Sequence, residues 1–187
     1  MRIISGIYRG RQLKSPPSGQ TRPTSDRLRE TLFNVLTPRI EGARFLDLCA
    51  GTGAVGIEAL SRGAEHVTFV DKSRKMCWLI EANTSALGID EQGFKIVNAD
   101  ASEYLRRHAK KDRGPFDIIF YDPPYAEDYE AVLSFIAEPS RQLLSNGGIV
   151  VVEHYKKRDL PEEFDSLKRY RTLKQGDSVL SFYRGGQ

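Results

Sequence analysis

Phe116-Asp117-Ile118-Ile119-Phe120-Tyr121 is apolar and β-prone, and Asp122-Pro123-Pro124-Tyr125 follows it directly. A run of this kind reads as a buried strand. The two prolines stop it, because neither can donate to a sheet ladder and each fixes its own φ. A carboxylate (Asp122), a stiff turn with accepting carbonyls (Pro123, Pro124) and an aromatic ring (Tyr125) are thereby delivered to one sheet edge. That set suits a planar base with an exocyclic amine. The carboxylate and a proline carbonyl can take the amine's two hydrogens while Tyr125 stacks on the ring. A strand ending in a turn with a surface tyrosine would show the same four residues, so the surroundings must discriminate.

The elements that must hold this strand end in place alternate. Residues 1–23 read as a small β-hairpin and an extended segment ending at Pro23. Thr24 is expected to cap a helix with Leu28, Leu32, Phe33, Val35 and Leu36 on its apolar face. Arg27, Arg29 and Glu30 fall on the other face, and Pro38 is expected to end the helix. Strands are predicted over 45–49, 67–71, 94–100, 116–122 and 149–153, with helices between them. The last of these helices starts near Tyr129 and resumes after Pro139 as far as Leu144. An antiparallel pair, 164–173 and 178–184, closes the chain around Gln175-Gly176-Asp177. The pattern predicts an α/β, Rossmann-like fold with a seven-stranded, mostly parallel sheet, an antiparallel terminal hairpin and helices on both faces. One domain is expected over 1–187, with 1–40 as a basic hairpin-and-helix extension and 41–187 as the core.

Composition excludes several classes. The 187 residues are 40% hydrophobic and 28% charged, ordinary for a soluble domain. No apolar run approaches the ~20 residues that cross a bilayer, and no hydrophobic region behind Arg2 suggests a secretory signal. Cys49 and Cys77 lie in predicted regular elements without metal-ligand spacing, as expected of small buried hydrophobes in a reducing cytoplasm. No metal is expected. The net charge of +3 is unevenly spread: residues 1–39 hold eight basic and two acidic side chains, or +6, leaving −3 for the rest. A basic segment on a slightly acidic body is a footprint for a polyanion, or else a solvated arm. Its candidates for contact with a polyanion backbone, RNA if the resemblance given below holds, are Arg2, Arg9, Arg11, Lys14 and Arg22. Lys156, Lys157 and Arg158 read as a solvated loop or a second such contact.

Ligands of open α/β sheets bind outside the carboxyl ends of the strands. Asp47 precedes Gly51-Thr52-Gly53, and Asp71, Asp100 and Asp122 end later strands. Gly51, Gly53 and Gly56 match the dinucleotide fingerprint, with Asp71 spaced to hold a ribose. This fits a nicotinamide or flavin cofactor as well as S-adenosylmethionine. Asp47 favours the latter, since its charge would repel a pyrophosphate and attract an ammonium and a sulfonium. Asp100 could accept from an adenine amino group, or could simply start a helix beside Ser102.

Leu46-Asp47-Leu48-Cys49-Ala50-Gly51-Thr52-Gly53-Ala54, Asp71, Asn98-Ala99-Asp100 and Asp122-Pro123-Pro124-Tyr125 together resemble a class I methyltransferase acting on an amino group. With Arg2-Ile3-Ile4-Ser5-Gly6, Arg9-Gly10-Arg11 and the block from Arg22-Pro23-Thr24 to Asn34, nearly the whole chain is similar to the RsmD family of bacterial 16S rRNA guanine-N2 methyltransferases. The resemblance implies S-adenosylmethionine as cofactor. It implies as substrate the exocyclic N2 of one guanine in 16S rRNA, within a partly assembled small subunit. The candidate catalytic set is Asp122, Pro123, Pro124 and Tyr125. The candidate cofactor set is Asp47, Ala50, Gly51, Gly53, Asp71, Lys72, Asp100 and Ala101, with Thr24 and Arg27 closing over the methionine end. A monomeric cytoplasmic enzyme is expected. The competing readings are a DNA methyltransferase acting on adenine N6 or cytosine N4, an idle RNA-binding scaffold, and a dinucleotide-dependent oxidoreductase.

Overall fold

Short apolar strands alternate with amphipathic helices in the computed structural model, which describes residues 1–16, 25–111, 113–124 and 128–185. The chain forms two compact units, Met1–Ala99 and Asp100–Gln187. The first holds α1 (Asp26–Ile40), β1 (Arg44–Leu48), α2 (Ala54–Ser61), β2 (His66–Asp71), α3 (Arg74–Leu87) and β3 (Phe94–Asn98). Its strands are parallel in the order β3-β2-β1, with Leu48 opposite Val70 and Asp71 opposite Asn98. Phe45, Leu46, Leu48, Val67, Phe69 and Val70 are fully buried and form its core with Leu32, Phe33 and Ile57.

The second unit holds α4 (Ala101–Lys110), β4 (Phe116–Tyr121), α5 (Tyr129–Ala137), β5 (Leu144–Tyr155), β6 (Glu163–Phe164), β7 (Leu167–Gln175) and β8 (Ser178–Gly185). Here β4 pairs parallel with β5, and β8, β7 and β6 follow antiparallel in the order β4-β5-β8-β7-β6. The class is therefore α/β, mostly parallel with antiparallel terminal strands, as the sequence pattern predicts.

Several boundaries differ from the sequence reading. The described residues form eight strands, not seven, because a tight turn at Asp165 (φ 37) splits the run expected over 164–173. β5 is longer than expected and runs through Asn146-Gly147-Gly148, with a register shift between the Phe116 and Ile118 pairings. The helix expected to resume after Pro139 is one 3-10 turn, Pro139–Arg141. The N-terminal hairpin is a single antiparallel bridge, Arg2 to Gln12. Ser25, not Thr24, caps α1, its Oγ accepting from Leu28 N–H (3.2 Å). Pro38 lies inside α1, which reaches Ile40. Both Pro38 and Asn34, whose carbonyl would have taken the missing N–H, are exposed, so the loss falls on the wet side.

Arg29 corrects the expected exposed face of α1, since it is fully buried. Its Nη2 donates to Arg2 O (2.6 Å) and Asp26 Oδ1 (3.0 Å), and its Nε lies 3.7 Å from Glu58 Oε2. Glu58, equally buried, accepts the N–H groups of Ile4 (2.8 Å) and Ser5 (3.0 Å) and pairs with Arg62 Nε (2.7 Å). Ser61 binds the same segment, accepting Tyr8 N–H and donating to Ser5 O. Gly6 makes this approach feasible, since a Cβ there would lie 1.7 Å from Ser61 O. The basic N-terminal segment is thus clamped to α2. Among the described residues, no helix is long and apolar enough to cross a membrane.

Candidate functional site

β1 ends at Leu48 and the backbone turns at once. Cys49 (φ 62), Gly51 (φ 55) and Gly53 (φ 76) are all left-handed. For Cys49 this is a strained choice of the kind that concentrates at functional turns. Ala50 N–H donates to Val70 O (3.0 Å) and Gly53 N–H to Ala50 O (2.8 Å). A Cβ at Gly51 would meet nothing within 4 Å, so the backbone there borders open space. At Gly56 a Cβ would fall 2.2 Å from the Phe69 ring, so only glycine lets α2 lie this close to β2.

Two carboxylates brace the turn. Asp71 Oδ2 accepts Gly51 N–H and its Oδ1 accepts Ser73 N–H, both at 2.8 Å. A carboxylate offers about four acceptor sites, so Asp71 retains capacity for ribose hydroxyls. Asn98 Nδ2 donates to the carbonyls of Asp71 and Lys72 (3.0 Å each), stitching the ends of β2 and β3 together. Asp47 is buried, and its Oδ2 accepts Gly56 N–H (2.9 Å). Burial raises its carboxyl to about 7; the Gly56 N–H opposes the rise and the Asp71 charge adds to it.

A carboxyl raised on folding binds its proton more tightly in the native state. Its stabilisation is complete below the ordinary 3.8 and is lost as pH rises toward 7. Asp47→Asn is therefore expected to flatten the fall in Tm between these values. Scanning calorimetry of both proteins checks this, and parallel Tm–pH curves would contradict it.

Asp100 caps α4, its Oδ1 accepting Ser102 N–H (2.9 Å) and Glu103 N–H (3.3 Å), and buried Ala101 is the first helical residue. Asp100 thus does start a helix beside Ser102. Arg27 is exposed on the first turn of α1, where its carbonyl accepts the Thr31 hydroxyl (2.9 Å). The described residues show no bond from it to the glycine turn. Thr24, Arg22 and Tyr125 lie outside the described residues.

Asp122 follows β4 half-buried, Pro123 is buried and Pro124 exposed. Fully buried Tyr129 donates its hydroxyl to Pro123 O (3.3 Å). Its ring lies 5.9 Å from Tyr121, and the Arg158 guanidinium sits 4.5 Å over it. In the sequence Tyr129 stands out only as a residue of the helix after β4. The available signal was that a buried tyrosine needs a partner for its hydroxyl. Arg158 is thereby engaged, and Lys156 pairs with Asp177 (2.8 Å), so this basic cluster has structural work in the loop after β5.

Arg2, Arg9, Arg11 and Lys14 have exposed side chains. Arg2 lies 3.7 Å from Asp26. Arg11 Nη2 donates to Ala86 O (3.2 Å), and Lys14 N–H donates to Asn83 Oδ1 (2.8 Å). Asn83 Nδ2 in turn donates to Thr52 O (3.2 Å), tying the segment to the glycine turn.

The carboxylates at this turn are hydrogen-bond acceptors, and Asp71 suits ribose hydroxyls. The fold has solved relatives. The solved structure of the SAM-dependent methyltransferase from Agrobacterium tumefaciens matches with a TM-score of 0.63 at 21% identity, covering 89% of this chain and 63% of that one. The structure of yhhF from Escherichia coli matches with a TM-score of 0.85 at 31% identity, over 100% of this chain and 98% of that one. The fold is that of the class I S-adenosylmethionine-dependent methyltransferases. The family model described as Conserved hypothetical protein 95 matches residues 1–184. Ribosomal RNA small subunit methyltransferase D of Escherichia coli is 36% identical over 185 residues, 98% of this chain and 89% of that protein. The chain belongs to this family, the RsmD family.

Proposed function

We propose that this chain transfers the methyl group of S-adenosylmethionine to the exocyclic N2 amine of one guanine in 16S rRNA. It acts as a cytoplasmic monomer and a single methyltransferase domain over 1–187, on a partly assembled small ribosomal subunit. The observation that carries the reading is the Asp122-Pro123-Pro124 turn closing β4, in a member of the RsmD family.

S-adenosylmethionine, when bound, supplies an electrophilic methyl on a sulfonium. Gly51 and Gly53 admit it closely, and Asp71 accepts its ribose hydroxyls beside the N–H bonds it already takes. Asp47, Ala50, Lys72, Asp100 and Ala101 complete the cofactor set, with Thr24 and Arg27 over the methionine end. The guanine amine is a weak nucleophile because its lone pair is delocalised into the ring. Asp122 and the Pro123 carbonyl accept its two hydrogens and direct that lone pair toward the methyl. Tyr129 occupies one lone pair of Pro123 O, and a carbonyl has a second for the amine. The methylated nitrogen's surplus proton would pass to the Asp122 carboxylate and on to water, so a strong base is unnecessary. Alignment of nitrogen and methyl supplies most of the rate gain, up to ~7–11 kcal/mol in well-oriented systems. Pro124 stiffens the turn, and Tyr125 stacks on the base, worth ~1–3 kcal/mol. Arg2, Arg9, Arg11, Lys14 and Arg22 take RNA phosphates.

Transfer of label from S-adenosylmethionine to 16S rRNA, to small subunits from a strain lacking this gene and to duplex DNA tests the reading. Label is expected in the rRNA-containing samples, recovered as N2-methylguanosine. Recovery in duplex DNA, or in another nucleoside, would overturn it.

A further inference from the structure

α3 leaves a large aromatic and two cations on its solvent face. Arg74 and Lys75 open its first turn, behind the Asp71 carboxylate that accepts Ser73 N–H at the helix start. One turn on, Trp78 is 61% exposed. The Arg74 guanidinium lies 5.4 Å from its ring centroid and orders the indole. Packing does not account for a large aromatic left in water. The clamped N-terminal segment meets the same helix. Lys14 is fixed to Asn83 and Arg11 to Ala86, both in α3. Glu81 is an exposed acid on the same face, beside the two cations Arg74 and Lys75.

We propose that the exposed face of α3, centred on Trp78, is a contact for single-stranded RNA. Trp78 stacks an unpaired base, and Arg74 and Lys75 take the flanking phosphates. The proposal rests on the rRNA reading above and adds to it a surface outside the residues assigned to methyl transfer. Cations beside an ordered, solvent-facing π-system match a polyanion with splayed bases, and such stacking tolerates any base.

Trp78 is the chain's one tryptophan, so its fluorescence reports on this face alone. Titration of the full chain with a single-stranded oligoadenylate is expected to quench the emission saturably. Trp78→Ala should weaken binding of that RNA by about tenfold or more, with Trp78→Phe recovering most of the loss. Arg74→Gln/Lys75→Gln should flatten the logarithmic salt slope by about 1.4. Cofactor affinity by calorimetry should not change in any of these variants. A chain that methylates rRNA with Trp78 emission unmoved, and with Trp78→Ala binding RNA like wild type, overturns the surface alone. A chain that methylates no rRNA overturns the functional reading, and the surface with it.

Discussion

Asp122→Ala is expected to slow methyl transfer by about 10²–10³-fold, the loss seen when one preorganised hydrogen bond at a reacting group is removed. The half-buried carboxylate stands at the end of β4, where the amine would otherwise meet only proline carbonyls. Cofactor affinity should stay close to wild type, because the bonds that brace the glycine turn run through Asp71 and Asp47. Tyr129→Phe is the graded companion. It keeps the ring against Tyr121 and under Arg158 but removes the bond to Pro123 O. A loss of about five- to tenfold is expected, the worth of one ordinary hydrogen bond. Single-turnover transfer to rRNA, with calorimetric titration of S-adenosylmethionine, measures both. An Asp122→Ala protein that methylates at near-normal rate would sink the assignment.

The second large effect is on stability. Glu58→Ala should cost about 3–5 kcal/mol, because removing one partner leaves a buried charge uncompensated. The N–H groups of Ile4 and Ser5 and the Arg62 Nε lose their acceptor, and the buried Arg29 guanidinium keeps only Asp26 as counter-charge among the described residues. Already in the native chain, Arg29 Nε and Nη1 make no hydrogen bond, so Glu58 is the carboxylate that offsets this charge from inside α2. At roughly 2–4 °C per kcal/mol for a chain of this size, Tm should fall by about 6–20 °C. Hydrogen exchange should accelerate most at Ile4, Ser5 and Tyr8, where the N-terminal segment meets α2. A Tm within about 2 °C of wild type would show that the segment is held by other contacts.

Much of the site was legible because it is local. The Asp122-Pro123-Pro124 turn follows its strand without a gap, and the glycines after β1 announce left-handed backbone that other residues adopt at a cost. Asp71 was legible by its distance from Gly51, though its part in bracing that turn through Gly51 N–H was not. Asp100 shows the limit of such reading. An acid before a helix serves as cap or ligand contact, and the bonds to Ser102 and Glu103 exist only once α4 has formed. The split of the penultimate strand at Asp165 was equally hidden, since nothing in Phe164–Leu173 forbids an unbroken strand.

What the sequence determined by itself was the α/β alternation, the turn chemistry and the family, all carried by neighbours or by fixed spacings. Hydrophobic period and proline or glycine punctuation act within a few residues of chain, and they need no fold to be read. The tertiary structure alone decided that Arg29 and Glu58 would be buried, that the basic segment would be clamped along α2 and α3, and that Tyr129 would hold Pro123. Charged side chains default to water unless a partner far along the chain arrives to neutralise them. The bonds from Glu58 to Ile4 and Ser5 span 54 and 53 residues, a separation over which local pattern carries no information.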